Sequence, residues 1–365
     1  MEKKIVKLGI VGLRRGRHVG ALVWHDKNVK ITAVADKDAA VLAETKRMYE
    51  EEGKLSDVLY FDTYEEMLAA DIDAVYVCTD KPLHTRHVLM ALEAGKHVLS
   101  EIPVIETEEE AKILLDAVRS HPELKYMTAE NCNYWAHIEA WKKMREAGQL
   151  GEIVYAEGEY LHAGEPGKFQ PYEEGTDHWR RHNPAITYLT HELGPLLYIM
   201  DDHCVSVSCM EPSAVYNPYK TPQGIENGIA IFRTAKGAVI RIFIGFGTYV
   251  GFGHNFAIYG TQGSLITDKT KDCYHAHTFA KMTSLPGTQE AFAELPISAA
   301  GGAGSEMHGG ADGRMVRDFI KCILEDTEPP ITVEDGIRMS LPGIIAHKSA
   351  MAGGVLLPIP DVNDL

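Results

Sequence analysis

Short apolar runs rich in Val, Ile and Ala recur through the first third of the chain, each followed by a stretch with apolar residues at helical spacing. IVKLGIV (5–11), ITAVAD (31–36), AVYVCT (74–79) and HVLSE (97–101) read as strands. The segments 12–24, 39–52, 63–69 and 84–95 between them read as helices. Strands that are apolar on both faces and alternate with helices predict parallel βαβ units in a doubly wound sheet. From about residue 126 the rhythm changes. A helix near HIEAWKKMREAG (137–148) gives way to long alternating runs, EIVYAEGEYLHA (152–163), GIAIFRTAKGAVIRIFIGF (228–246) and NFAIYGTQGSLITD (255–268). Ala235-Lys236-Gly237 between two such runs predicts an antiparallel hairpin. GRMVRDFIKCILEDTEPP (313–330) reads as an amphipathic helix stopped by a double proline. The expected architecture is α/β: a doubly wound parallel sheet over residues 1–125, then an α+β domain with a large, mostly antiparallel open sheet over 126–365.

The 365 residues suit two domains at roughly 100 to 200 residues each. A net charge of -16 argues against nucleic acid as a partner, because binding a polyanion takes a surplus of Lys and Arg. The one local basic cluster is Arg14, Arg15 and Arg17. Six cysteines (78, 132, 204, 209, 273, 322) with no CxxC predict reduced thiols, not a zinc or disulfide framework. HAHT (275–278) is the nearest approach to a metal motif, and no functional metal is expected. Without a signal-peptide pattern or a run of about 20 apolar residues, the expectation is a cytoplasmic protein.

GIVGLRRGRHVG (9–20) follows the first strand and opens a helix, the setting in which glycines let a pyrophosphate approach a helix N-terminus. A strict GxGxxG from Gly12 would need glycine at 14, where the chain has Arg14; Gly16 lies near the third glycine position. Arg14 can replace close backbone approach with an ion pair, and Arg15 lies beside it. Asp36 ends the second strand, where an acid accepts ribose hydroxyls and repels a 2′-phosphate, which favours NAD over NADP; it also reads as a cap for the next helix. Lys81 and His84 follow the third of the strands above, at the carboxyl edge where ligands of open α/β sheets collect.

AVYVCTDKPLHTRHVLMALEAGKHVLSEIPV (74–104) and the order of elements resemble the glucose-fructose oxidoreductase / inositol dehydrogenase / MocA family of NAD(P)-dependent oxidoreductases. The resemblance implies a Rossmann domain followed by a substrate-binding and oligomerisation domain. It also implies NAD at Gly12, Arg14, Arg15, Gly16, Asp36, Lys81, His84, Glu101, Ile102 and Asn133, and a homodimer or homotetramer. Where the family carries Glu-Lys-Pro, with a catalytic lysine, this chain has Glu101-Ile102-Pro103. Isoleucine neither accepts nor donates a proton, so another base is required. The resemblance further implies a cis bond before Pro103, with Glu101 facing nicotinamide or substrate.

AENCNYW (129–135), DHWRRHN (177–183), TYLTHELGP (187–195) and MHGGADG (307–313) are similar to a branch of NAD-dependent glycosidases of α-N-acetylgalactosaminidase type. That similarity implies catalytic roles for Tyr188, His191 and Tyr134, and the indole of Trp179 and guanidinium of Arg180, just before the catalytic segment, suit contacts to a sugar. If 188–191 is helical, Tyr188 and His191 share one face, where an imidazole can take a proton as hydride leaves carbon and a phenol can relay it. The plainer alternatives are a hydrogen-bonded core histidine and a packing tyrosine. Trp179 suits stacking on a pyranose or a structural place, and His308 and Asp312 suit support of the site or a helix-entry loop. The expected activity is oxidation of a ring hydroxyl, C3 by resemblance, alone or as the first step of redox-neutral glycoside cleavage. The alternatives are an ordinary sugar or inositol dehydrogenase, or an NAD- and sugar-sensing regulator.

Overall fold

A computed structural model describes residues 5–23, 25–51, 57–162, 179, 182–212, 226–247, 253–267 and 310–365, with 279–283 and 290–294 by their backbone. Two compact units emerge: Met1–Glu130 with Gly304–Ile337, and Asn131–Ala303 with Arg338–Leu365.

In the first unit the apolar runs become β1 (Val6–Val11), β2 (Val29–Ala35), β3 (Leu59–Phe61), β4 (Ala74–Val77), β5 (His97–Ser100) and β6 (Tyr126–Thr128). They form one parallel sheet in the order β3-β2-β1-β4-β5-β6. The intervening helices are α1 (Leu13–Ala21), α2 (Ala39–Glu51), α3 (Tyr64–Leu68), α4 (His84–Glu93) and α5 (Glu108–Arg119). All four β4 residues are buried, as a central strand covered on both faces requires. Helices α3 and α5 begin on Thr63 and Thr107, whose hydroxyls accept the amides of Glu66 and Glu110; acidic first turns complement the helix dipole. This order reverses direction between β1 and β4, the switch point at which open α/β sheets gather ligands.

In the second unit α6 (Ala136–Glu146) precedes β7 (Ile153–Leu161), and α7 (Thr190–Met200) precedes β8 (Cys204–Met210), β9 (Asn227–Thr234), β10 (Val239–Gly245), β11 (Gly253–Gly260) and β12 (Ser264–Ile266). The pair β13 (Phe279–Thr283) and β14 (Glu290–Glu294) forms a separate antiparallel ribbon. Helix α8 (Ala311–Glu325) belongs to the first unit, and α9 (Val333–Met351) contributes its first residues to that unit and the rest to the second. A last short strand, β15 (Leu357–Pro358), completes a sheet in the order β12-β11-β7-β10-β9-β8-β15. Its pairings are antiparallel except for β7 with β10. The expected hairpin at 235–237 joins β9 to β10, with Gly237 at a φ of 95°.

The alternation in this sheet separates two faces. Ala156, Gly158 and Tyr160 of β7, with Ile242, Ile244, His254 and Phe256 of the neighbouring strands, are buried. On the other face Ile229, Ile231 and Met210 are exposed at 40%, 52% and 59%. Arg241 is held there between Glu157 and Glu159, at 2.6 and 2.8 Å. Among the described residues no helix is long and apolar enough to cross a membrane.

Candidate active site

In the first unit the chain turns from β1 into α1 at Gly12, whose φ is 88°. A Cβ there would stand 2.4 Å from the carbonyl carbon and oxygen of Cys78, so only glycine fits this turn. Gly16 is equally constrained one turn on: its Cβ would meet Ile10 at 2.5 Å, which sets how closely α1 lies on its strand. The first-turn amides of α1 include donors without intrahelical partners, the local chemistry a phosphate needs. Asp36 Oδ2 accepts the Leu13 amide at 2.8 Å, and Oδ1 accepts the Asp38 amide at 2.9 Å. The carboxylate is thereby fixed beside the turn, and its remaining lone pairs suit ribose hydroxyls. The cap of α2 is supplied by Asp38, which accepts the Ala40 amide, so capping does not occupy Asp36. This glycine cradle and adjacent acid fit the adenosine half of NAD.

The arginines of the turn have other partners. Exposed Arg14 pairs with Asp38 at 2.8 Å, and Arg17 with Glu44 at 2.6 Å. Arg15 turns inward, donating from Nε to Glu101 at 3.1 Å and from Nη2 to fully buried Asp312 at 2.7 Å. Burial opposes its charge, but Glu101, Asp312 and Tyr76 more than offset this and raise its pKa further. The Tyr76 hydroxyl, buried and held protonated by that burial and by Cys78 and Glu101, donates to Glu101. Glu101 is thus gripped from two sides at the end of β5. Ile102 is buried, and the Ile102–Pro103 peptide is cis, as the family resemblance implies. His84 braces this turn: its ring nitrogens lie 2.8 Å from the carbonyl oxygens of Pro103 and Thr79. Lys81 is buried and paired with Glu106 at 2.9 Å.

In the second unit a 3-10 turn over Ala185–Tyr188 leads into α7. It brings the Tyr188 and His191 rings edge to face, with centroids 5.5 Å apart. Tyr188 stacks on Tyr160 at 6.5 Å and tilts against Trp179 at 6.3 Å. His191 is half-buried, and its Nδ1 lies 3.3 Å from the Cys132 thiol. A phenol and an imidazole, both partly exposed, thus stand side by side where the sequence spacing puts them on one face. Tyr134 is buried at 6% exposure, and Asn133, at 4%, carries an Oδ1 without a hydrogen-bond partner among the described residues. Arg180, His308 and HAHT (275–278) lie outside the described residues.

Comparison with known proteins places both units. Residues 6–129 match the model of an oxidoreductase family with an NAD-binding Rossmann fold, and residues 138–266 match the GFO/IDH/MocA C-terminal domain. The chain belongs to the Gfo/Idh/MocA oxidoreductase family. Residues 6–129 are the family's NAD-binding Rossmann domain. Within this family the chain is similar to a glycosyl hydrolase family 109 protein of Solibacter usitatus (strain Ellin6076), 26% identical over 98% of this chain and 88% of the relative. A protein of the same name from Streptomyces filamentosus is 28% identical over 99% of this chain and 78% of its own. Among solved structures, a levoglucosan dehydrogenase in complex with NADH and levoglucosan aligns with a TM-score of 0.80 and 20% identity, covering 98% of this chain and 100% of the other. Myo-inositol 2-dehydrogenase from Lactobacillus plantarum aligns at 0.77 and 20%, with the same coverage. At these identities the structures establish a shared Gfo/Idh/MocA fold.

Sequence reading overlooked four residues beside Tyr188 and His191: Cys132, Tyr160, Glu192 and His254. Only the inward register of β7, with glycine at 158 and tyrosine at 160, hints at Tyr160. Five of the six cysteines are described, and all five are buried free thiols. Burial, with Asp202 adding to it, pushes the Cys204 thiol up, and burial with Glu211 pushes Cys209 up to about 12, so neither is a nucleophile at neutral pH.

Proposed function

We propose that this protein oxidises a ring hydroxyl of a glycoside at C3 and uses the resulting acidity at C2 to cleave the glycosidic bond without net redox change. The observation that carries the reading is the Tyr188–His191 pair at 5.5 Å, together with isoleucine at 102 where the resembled dehydrogenases have lysine. Relatives named as glycosyl hydrolases support it. The Gly12 turn and Asp36 would hold NAD, which would supply the hydride acceptor.

The chain's own residues manage protons. His191 accepts the O3 proton as C3 becomes a carbonyl, and Tyr188 relays it. The ketone acidifies C2–H, so a base removes that proton while the C1–O bond breaks and the aglycone leaves protonated. Water then adds to C1 and a proton returns to C2; after reduction at C3, His191 gives the proton back to O3. The sum is glycoside plus water to sugar plus alcohol. Trp179, against Tyr188, and Tyr134 supply apolar faces for the sugar ring. Reaction in D2O is expected to leave deuterium at C2 of the released sugar, read by mass spectrometry and NMR; product with only protium at C2 would count against the elimination route.

A second reading, oxidation that stops at the keto sugar, draws on the likeness to levoglucosan and inositol dehydrogenases. For either, we place the enzyme in the cytoplasm and assemble it as a homodimer or homotetramer through the sheet face that carries Ile229, Ile231 and Met210, since an exposed apolar face of this kind marks an interaction surface. Light scattering is expected to report a dimer or tetramer that Ile231→Glu dissociates; a monomeric parent protein would contradict this.

A further inference from the structure

Behind Tyr188 and His191 lies a buried pair that no step above uses. Glu192, fully buried on α7, stands 2.5 Å through Oε1 from Nδ1 of His254, itself 4% exposed. His254 lies directly opposite Tyr160 in the β7–β11 register, and their rings stack at 4.1 Å with an interplanar angle of 19°. Tyr160 in turn meets His191 edge to face at 5.7 Å and stacks on Tyr188. His254 also touches His191 at 5.9 Å and the edge of Trp135 at 5.0 Å. The sheet makes room for the carboxylate: a Cβ on Gly158 would fall 2.7 Å from Cβ of Glu192.

Taking a carboxylate and an imidazole out of water is costly, and packing alone is served as well by apolar residues of similar volume. A short bond of this kind fixes the tautomer and plane of an imidazole, as outer partners do for ligating histidines. We infer that Glu192 and His254 are positioning residues for the proton transfers at His191 and Tyr188. The carboxylate holds a proton on His254 Nδ1, the imidazole face holds Tyr160, and Tyr160 fixes His191 and Tyr188. Among the described residues the titratable groups facing His254 are Glu192 and His191 from α7 and Tyr160 from β7, and those around His191 are Cys132, Glu130, Tyr160, Tyr188 and His254. This inference rests on the reading that His191 and Tyr188 carry the proton chemistry.

The test uses the full-length enzyme, loaded with NAD, and the p-nitrophenyl glycoside it turns over fastest. Glu192→Gln keeps the shape and removes the charge. It is expected to lower kcat about 10- to 100-fold, to move the midpoint of the pH–kcat profile and to leave KM and NAD affinity unchanged. In free protein labelled at histidine, the NMR titration of His191, assigned by its loss in His191→Ala, is expected to move in the same variant. The double variant Glu192→Leu with His254→Phe removes both members of the pair together, so neither is left facing a missing partner; it is expected to fold and to show the same loss. Unchanged kcat, pH profile and His191 titration in Glu192→Gln would overturn the inference while leaving the Tyr188–His191 reading intact. Full activity in His191→Ala would instead overturn that reading, and the inference with it.

Discussion

His191→Ala and, separately, Tyr188→Phe are expected to lower kcat about 10³-fold, within the range for loss of a general acid or base, with NAD affinity within about twofold of the parent. The residues stand edge to face in the second unit, whereas the Gly12 turn and Asp36, which we propose hold the adenosine half of NAD, belong to the first. Loss of the proton path therefore leaves the cofactor cradle untouched. Isothermal titration of NAD beside steady-state kinetics separates the two effects. Full activity in both variants would sink the assignment; a parallel loss of NAD binding would show that the residues act through structure.

Gly12→Ala is expected to weaken NAD binding at least about 100-fold, equivalent to ~2.8 kcal/mol. The new Cβ would sit 2.4 Å from the Cys78 carbonyl, and the backbone would be forced to hold alanine at a φ of 88°. Gly95→Ala is the matched control. Gly95 also has a positive φ, 70°, but nothing lies within 4 Å of its added Cβ. It is expected to cost about 1–2 kcal/mol of stability from backbone strain and to leave NAD affinity unchanged. Equal affinities in the two variants would remove Gly12 from the cofactor site.

Local signals carried much of the fold. Val- and Ile-rich runs alternating with helices led to the parallel sheet, and Ala235-Lys236-Gly237 led to the β9–β10 hairpin, because each depends on neighbours along the chain. The cis bond before Pro103 and the adjacency of Tyr188 and His191 were legible through motif resemblance and three-residue spacing. Long-range partnerships were not. Arg15 meets Asp312 across 297 positions, because the chain returns at 304–337 to the first unit and places α8 there. An arginine beside a phosphate-type turn looks like an anion ligand in sequence; its ion pairs with Glu101 and Asp312 become visible only in the fold. The Glu192–His254 bond spans 62 positions and joins a helix to a strand, so no periodicity announces it.

Following aglycone and NADH separately tests redox-neutral cleavage most directly. Purified enzyme loaded with NAD is incubated with p-nitrophenyl glycosides that vary in sugar and anomer, while p-nitrophenol and NADH are recorded in the same cuvette. p-Nitrophenol is expected to accumulate over many turnovers with no net rise in NADH. NADH formed in step with a keto glycoside, with no p-nitrophenol released, would contradict it.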